Sequence, residues 1–339
     1  MNLSIVDLAP ARDGDSATDA YANTVDLAQT AEELGYSRFW VAEHHGMADS
    51  IASTTPETLI AYLAAETDEI RVGSGTVLLN HYQPFKVAET FGSLDALAPG
   101  RVDLGLGRAT GIPAADRALG TERQKRNPDK DHAEKIEATV NHLYDGFGDD
   151  HPYAELTLPR SADDTPETWV LGSSPSSAEI AGELGLRYCF AGFIRPNLAE
   201  QAFETYRATF EPSPLEAGPD DPTGMLALNV ACAETDEEAA RLRSTAEASY
   251  QRMQRGVVGS LPPVEEAIDE LGGVPEPTPT PLPDGDRPRA ISGGPETVAD
   301  LLGQLTDRVG VEDVIVQNLI ADHDDVVRSH ELLADAVGL

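Results

Sequence analysis

The chain has 339 residues, 40% of them hydrophobic, and its 59 acidic and 24 basic side chains give a net charge of −35. Such a charge repels nucleic acid and anionic membrane surfaces, so neither is expected as a partner. The chain contains no run of about 20 apolar residues that would predict a membrane span. The amino terminus lacks the basic and apolar regions of a signal peptide, and we expect a cytoplasmic protein.

The acidic residues and the cysteines both bear on where the protein works. The acidic residues are spread over the predicted helices and are not gathered in a tail. Concentrated salt screens their repulsion, so this distribution favours a halophilic origin. An acidic protein from an ordinary environment is the alternative. Cys189 and Cys232 lie in apolar, strand-like runs, which favours buried thiols in a reducing compartment over a disulfide.

Apolar runs and helical patterns alternate along the first half of the chain. A glycine, Gly35, ends the first predicted helix, and Thr55-Pro56-Glu57 is typical of a helix start. The predicted strands are 3–8, 38–42, 70–79 and 102–107. The predicted helices are about 19–34, 55–67, 84–97 and 131–144.

The second half repeats this alternation. The predicted strands are 168–171, 187–190, 225–232 and 313–317, and the helices are about 176–184, 198–210, 236–255, 295–309 and 324–337. Eight strands that alternate with helices predict a single domain, 1–339, that folds as a (β/α)8 TIM barrel with extended loops. A doubly wound open sheet is the alternative.

Two stretches interrupt the alternation, at 146–167 and 256–289. The second includes the Pro-rich sequence GGVPEPTPTPLPDGDRP, which is incompatible with a regular helix or a central strand. It is predicted to be a loop excursion, either disordered or a lid over the barrel opening, since long loops in compact domains are often functional.

Three strand ends carry residues that suit a binding site. In a barrel enzyme the active site lies at the carboxyl ends of the strands. The second strand ends in AEHHG, which places Glu43, His44 and His45 where the chain leaves the core. The third contains Gly73-Ser74-Gly75, and such glycines mark a bulge or a close approach by a ligand. The fourth ends in LGLGRATG, where Arg108 could reach an anion.

The loop after the fourth strand is locally basic in this acidic chain. It contains Arg117, Arg123, Lys125, Arg126 and Lys130. These side chains either attract an anionic ligand or pair with carboxylates on the helices, and the second interpretation is favoured.

A cluster of serines follows the fifth strand, in WVLGSSPSSAEIAGELGL. Pro175 fits a first helical turn with Ser174 as its cap, while a capping box of Ser176 and Glu179 is the alternative. Ordinary capping needs one or two serines, and this segment has four: Ser173, Ser174, Ser176 and Ser177. Free backbone N–H groups and hydroxyls at a helix start favour an anion site suited to a phosphate.

Taken together, these segments resemble the bacterial luciferase-like flavin monooxygenase family. The matching pieces are GYSRFWVAEHHG, RVGSGTVLLNHYQPFKVAETFGSLDALAPGRVDLGLGRATG, VLGSSPSSAEIAGELGLRYCFA and, more loosely, ISGGPETVADLL. They keep their order over nearly the whole chain. The branch with an EHH and a GSS segment, made of uncharacterised single-component members, is the most similar.

The resemblance implies a barrel that binds FMN at its carboxyl end. His44 would lie beside the reactive edge of the flavin and act as an acid or base. Glu43 would shape the flavin pocket, and Gly75 and Thr76 would lie against the ring system. The phosphate would be bound by Arg108, Ser173, Ser174 and Ser177. At the position of Ser173, luciferase itself has an acidic residue, which leaves the choice of cofactor slightly open. Because strand side chains alternate between faces, only one of the two histidines is expected to meet the flavin. His45 is either that residue, in place of His44, or a hydrogen-bonded structural residue.

The predicted function is a monooxygenase that uses reduced FMN and O2 to oxidise a small organic substrate. No NAD-binding motif is present, so the reduced FMN would come by diffusion from a separate reductase. A dehydrogenase that uses the deazaflavin coenzyme, or a non-catalytic flavin-binding protein, is the alternative. The resemblance also implies a homodimer or a higher homo-oligomer.

Overall fold

The computed structural model describes residues 1–108, 112–120, 128–162 and 164–339, without the side chains of residues 128 and 129. Strands and helices alternate through these residues. The strands are β1 (Asn2–Asp7), β2 (Arg38–Val41), β3 (Arg71–Ser74), β4 (Val77–Leu78), β5 (Val102–Gly107), β6 (Glu167–Gly172), β7 (Arg187–Ala191), β8 (Gly224–Cys232), β9 (Ala290–Gly293) and β10 (Asp313–Gln317). The helices are α1 (Ala17–Glu33), α2 (Pro56–Glu66), α3 (Pro84–Leu97), α4 (Pro113–Ala118), α5 (Pro128–Leu143), α6 (Pro175–Glu183), α7 (Ala199–Thr209), α8 (Asp236–Gln254), α9 (Val264–Leu271), α10 (Pro295–Val309) and α11 (His323–Val337).

Eight parallel strands close into a barrel. β1 pairs with β10 on one side and β2 on the other, and the order continues through β3, β5, β6, β7 and β8. β8 then pairs with β10, from Met225 opposite Asp313 to Asn229 opposite Gln317, and closes the ring. The predicted (β/α)8 TIM barrel is confirmed, and the open-sheet alternative is excluded.

The third barrel strand contains a bulge that splits the predicted strand 70–79 into β3 and β4. Gly73 pairs with Asp103 and Val77 with Leu106, so four steps on one strand match three on β5. The hydroxyls of Ser74 and Thr76 donate to the carbonyl of Gly105, at 3.0 and 2.9 Å, where the backbone pairing is interrupted. The bulge lies where the strand approaches the carboxyl end of the barrel.

The segment 256–289 contains helix α9, which is not among the helices predicted from the sequence. α9 packs along α8, and Arg252 of α8 lies 2.6 Å from Glu266. The Pro-rich residues that follow have no helix or strand until β9, but Arg243 of α8 donates to Thr278 Oγ1 at 2.8 Å and to the carbonyl of Glu276 at 2.7 Å. These contacts fasten this part of the excursion to α8.

The barrel interior is filled by a small cluster of large side chains. Alternate residues of the strands point inward and form a cluster of Val6, Trp40, Trp169, Cys189, Met225, Ala227 and Ile315. The two indoles meet edge to face with their centroids 5.4 Å apart. Cys189 in this cluster and Cys232 on β8 are both buried free thiols, as predicted.

The amino-terminal end of the barrel is closed by buried charges. Asp103 is fully buried, and its carboxylate lies 2.7 Å from Arg38 and 2.6 Å from Arg71 and accepts from the indole of Trp40 at 2.8 Å. Glu167 pairs with the same two arginines and with Arg187, at 3.1, 3.5 and 3.4 Å. The network lies opposite the carboxyl ends of the strands, where barrel enzymes place their active sites.

Within the described part of the chain, none of the helices combines the length and apolar character needed to cross a membrane.

Candidate active site

Glu43, directly beyond β2, is a buried carboxylate that holds three neighbouring groups. Its Oε1 accepts from His45 Nε2 at 2.5 Å and from Tyr82 Oη at 2.7 Å, and its Oε2 accepts from the backbone N–H of Leu78 at 2.8 Å. Burial raises the pKa of Glu43, and these hydrogen bonds act in the opposite direction. Glu43 therefore fixes β4 and the turn after it against the end of β2.

His44 differs from its neighbour His45 because its ring is not committed to a protein partner. The side chain is half-buried, and its Nδ1 has no hydrogen-bond partner among the described residues. Burial, together with the nearby His45, lowers the pKa of His44 to about 4. The imidazole is therefore neutral near pH 7 and can accept or donate one proton at a ligand. Its backbone N–H is fixed by the carbonyl of Ser53 at 2.9 Å.

His45 belongs to a second group of side chains that the sequence analysis missed in part. Its ring meets that of His81 edge to face, with centroids 5.3 Å apart, and His81 Nε2 lies 4.0 Å from Asp116 of α4. Burial lowers the pKa of His81. His45 is thus hydrogen-bonded and packed, as one of the two predicted interpretations has it. His81 and Tyr82 were missed, although the polar triplet Asn80-His81-Tyr82 after an apolar run was a usable signal.

Gly75 and Thr76 form the bulge beside these groups. A Cβ at Gly75 would lie 3.0 Å from Val6 Cγ2 and 3.1 Å from Trp40 Cβ, so the interior has no room for a side chain there. A Cβ at Gly107 would lie 2.6 Å from Thr76 Cγ2. Glycine at these two positions therefore lets Gly75 pack directly on Val6 and Trp40 and lets Gly107 pack directly on Thr76.

Arg108 and the serine segment follow neighbouring strands. β5 and β6 pair with Leu106 opposite Val170, so Arg108 stands level with Gly172, directly before the serines. Ser174 is the N-cap of α6, and Pro175 is the first helical residue, as predicted. Ser177 Oγ donates to the carbonyl of Ser174 at 2.7 Å and lies 3.1 Å from Tyr188 Oη.

These contacts bear on the predicted roles of the serines. Ser177 and Tyr188 fix the first turn of α6, while Ser173 stands between the strand end and the cap. Ser173, Ser174 and Ser177 therefore lie at one helix start, where the helix dipole favours an anion, and Arg108 follows the neighbouring strand.

Two residues of α5 lie near Arg108 and were not predicted. His132 is buried, its Nδ1 has no hydrogen-bond partner among the described residues, and its pKa is lowered to about 4, by burial first and then by the charges of Arg108 and Lys135. Lys135 Nζ donates to the carbonyls of Leu79, Asn80 and Tyr82, at 3.0, 3.2 and 3.0 Å. Lys135 therefore holds the turn that carries His81 and Tyr82.

The predicted basic cluster can be followed only in part. Arg123, Lys125 and Arg126 lie outside the described residues. Lys130 pairs with Glu134 one turn along α5, at 3.5 Å, which agrees with the interpretation that these cations pair with helix carboxylates.

Comparison with known proteins gives a family for the whole chain. The luciferase-like monooxygenase family matches residues 1–312. The N-acetyl-S-alkylcysteine monooxygenase of Bacillus subtilis (strain 168) is 38% identical over 338 residues, which cover 99% of this chain and 98% of that one. The solved structure of apo-MsnO8 is 40% identical with a TM-score of 0.85 and covers 100% of this chain and 98% of its own.

More distant solved structures share the fold alone. One is the oxygenating constituent of 3,6-diketocamphane monooxygenase from Pseudomonas putida in complex with FMN, at 22% identity, TM-score 0.71 and coverage of 99% and 98%. Another is an F420-dependent secondary alcohol dehydrogenase in complex with an F420-acetone adduct, at 14% identity, TM-score 0.69 and coverage of 99% and 98%. From the family match and the relatives of similar length, we conclude that the chain belongs to the luciferase-like monooxygenase family.

Proposed function

We propose that the protein is an FMN-dependent monooxygenase that uses reduced FMN and O2 to oxidise a small organic substrate. The observation that carries the proposal is His44. It is a half-buried, neutral imidazole at the end of a barrel strand, and its Nδ1 has no partner among the described residues. In a member of this family, such a group is available for a proton or hydrogen bond at the reacting centre.

The residues present fit an FMN. Arg108 and the α6 start supply a cation and N–H donors for its phosphate, with Ser173, Ser174 and Ser177 around it. Gly75 and Thr76 would lie against the ring system, because the N–H of Gly75 donates to the carbonyl of Val41 and thus holds the bulge beside the strand end that carries Glu43 and His44. Glu43 holds the wall of this pocket through Leu78 and Tyr82.

When bound in its reduced form, FMN supplies two electrons with which one atom of O2 enters the substrate and the other leaves as water. The part of this chain is to orient and to move protons. The neutral imidazole of His44 offers one ring nitrogen as an acceptor and the other as a donor. The Nε2 of His45 is occupied by its hydrogen bond to Glu43, which leaves His44 for proton transfer. The buried indoles of Trp40 and Trp169 form an apolar surface in the barrel interior.

The relative that acts on N-acetyl-S-alkylcysteine suggests where to look for the substrate. We propose small thioethers of acylated amino acids as the first class to test, with N-acetyl-S-propylcysteine as the probe. The reduced FMN would come from a separate flavin reductase, and the protein would act as a homodimer or a higher homo-oligomer.

The test of the proposal has two steps. Purified protein is first titrated with FMN and, separately, with a deazaflavin coenzyme. Tighter binding of FMN agrees with the proposal, and binding of the deazaflavin alone favours the dehydrogenase alternative. Chemically reduced FMN, O2 and the thioether probe are then mixed with the protein under 18O2. Label in an organic product supports a monooxygenase, whereas FMN binding without O2-dependent product from any class of small substrate favours the non-catalytic alternative.

A further inference from the structure

Arg289, at the carboxyl end of the barrel, contacts a backbone carbonyl and an aromatic ring. Arg289 directly precedes β9, whose first residue, Ala290, pairs with Asn229. Asn229 stands opposite Gln317 where β8 and β10 close the barrel, so Arg289 lies at the carboxyl end and beside the opening.

The guanidinium of Arg289 is fixed by two contacts. Its Nη1 donates to the carbonyl of Phe193 at 2.7 Å, and its central carbon lies 4.1 Å from the centre of the Tyr250 ring. Phe193 packs against the interior cluster of Trp40 and Trp169, which ties the arginine to the wall of the barrel interior. A guanidinium held in this way loses little conformational freedom when a ligand binds.

The charge of Arg289 has no carboxylate partner among the described residues. The contrast is Arg287, two residues earlier in the same loop, which pairs with Glu200 of α7. Arg289 has only a carbonyl and an aromatic face, so N–H donors remain for an anion from outside.

We propose that Arg289, stacked on Tyr250, binds the carboxylate of an anionic substrate at the barrel opening. The inference rests on the proposed function, whose substrate it restricts to acids. A planar guanidinium with free N–H groups matches a carboxylate through paired hydrogen bonds. The apolar part of the same molecule would point toward Phe193 and the indoles below it.

Ligand binding without turnover separates this proposal from the oxygenase function. The affinity of the protein with oxidised FMN is measured by calorimetry for N-acetyl-S-propylcysteine and for its uncharged carboxamide, and for hexanoate and hexanamide as a second pair. The parent is expected to bind the acid of at least one pair about 10-fold or more tightly than the amide. Arg289→Gln removes most of that preference, and Arg289→Lys keeps part of it. Arg287→Gln is the matched control and keeps all of it.

Three outcomes overturn the proposal. They are a parent that prefers no acid over its amide in either pair, an Arg289→Gln variant that keeps the preference, and an Arg287→Gln variant that loses it equally. Labelled product with equal rates for acid and amide would leave the monooxygenase function standing and remove Arg289 from the site. A preference for acids without any O2-dependent product would support the anion site and contradict the monooxygenase.

Discussion

Replacing Asp103 by Asn tests whether buried charges close the amino-terminal end of the barrel. Asn has the same shape but no charge, and its amide NH2 would face the donors that Asp103 now accepts from. Those donors are Arg38 Nη1 at 2.7 Å, Arg71 Nε at 2.9 Å and Nη2 at 2.6 Å, and Trp40 Nε1 at 2.8 Å. The perturbation therefore leaves two arginines with Glu167 as their remaining acidic partner.

The expected cost follows from burial. Breaking a buried ion pair typically costs 3–5 kcal/mol, and Asp103 is fully buried. The two arginine side chains are 18% and 22% exposed, and both still pair with Glu167 in the variant. The expected loss in the free energy of unfolding is therefore near the lower end of this range, at about 3 kcal/mol. With an unfolding entropy of about 2 cal/mol/K per residue, this corresponds to a fall in Tm of roughly 4 °C.

The assay is urea unfolding followed by circular dichroism, with Asp145→Asn as the matched control. Asp145 pairs with Arg160 at 2.6 Å, but its side chain is 75% exposed, so its loss should cost less than about 1 kcal/mol. FMN affinity should stay unchanged in both variants because the proposed site lies at the opposite end of the barrel. Equal destabilisation in the two variants, or a loss below about 1 kcal/mol for Asp103→Asn, would show that the charge of Asp103 does not stabilise the amino-terminal end of the barrel.

Three further expectations can be checked independently. Arg108→Ala should weaken FMN binding by about 10- to 100-fold, as for the loss of a charge-assisted contact, and leave riboflavin binding unaffected; equal FMN affinity would remove Arg108 from the phosphate site. With a net charge of −35, the Tm should rise across a potassium chloride series because salt screens the repulsion, and a flat or falling Tm would contradict the halophilic origin. Burial lowers the folded-state pKa values of His44, His132 and His330 from the ordinary 6.5 to about 4, 4 and 3. As the pH drops, these histidines therefore take up protons in the unfolded chain before they do so in the folded protein. The free energy of unfolding should fall between about pH 6.5 and pH 4. Urea unfolding at constant ionic strength measures this fall, which should be smaller in His330→Gln; an identical pH profile in that variant would contradict the assignment for His330.

The barrel was predictable because its strands are strongly apolar and its helices start and end at recognisable residues. Ser174-Pro175 and Gly35 are examples that the structure agrees with. β9 was missed because it is four residues long and ends in glycine, so its strand character comes from pairing with the extended end of β8. The glycines of the third strand indicated a bulge or a close approach by a ligand, and the structure has the bulge. Its details could not be predicted, because they depend on the hydroxyls of Ser74 and Thr76 meeting a carbonyl about thirty residues away.

The residues of the candidate site also fall into those that the sequence predicted and those that it did not. Strand ends pointed to Glu43, His44 and Arg108, because barrel enzymes place binding residues there. The polar triplet Asn80-His81-Tyr82 could have marked Tyr82 as a candidate. Its hydrogen bond to Glu43 and the place of His132 beside Arg108 could not be predicted, because both depend on long-range contacts. Such contacts come from the closure of the barrel and carry no local signal in the sequence.

The most direct measurement is the reoxidation of reduced FMN by O2 in a single turnover, followed by stopped-flow absorbance for the parent, His44→Ala and His45→Ala. It needs no identified substrate. We expect His44→Ala to retain FMN, because the proposed phosphate site lies elsewhere, and to change the rate of reoxidation by about 10²-fold or more, as for the loss of acid–base assistance. His45→Ala should change the rate less, because the imidazole of His45 is already hydrogen-bonded to Glu43. A parent-like rate in His44→Ala with a large change in His45→Ala would show that the other histidine is catalytic, and parent-like rates in both would contradict the central role given to His44.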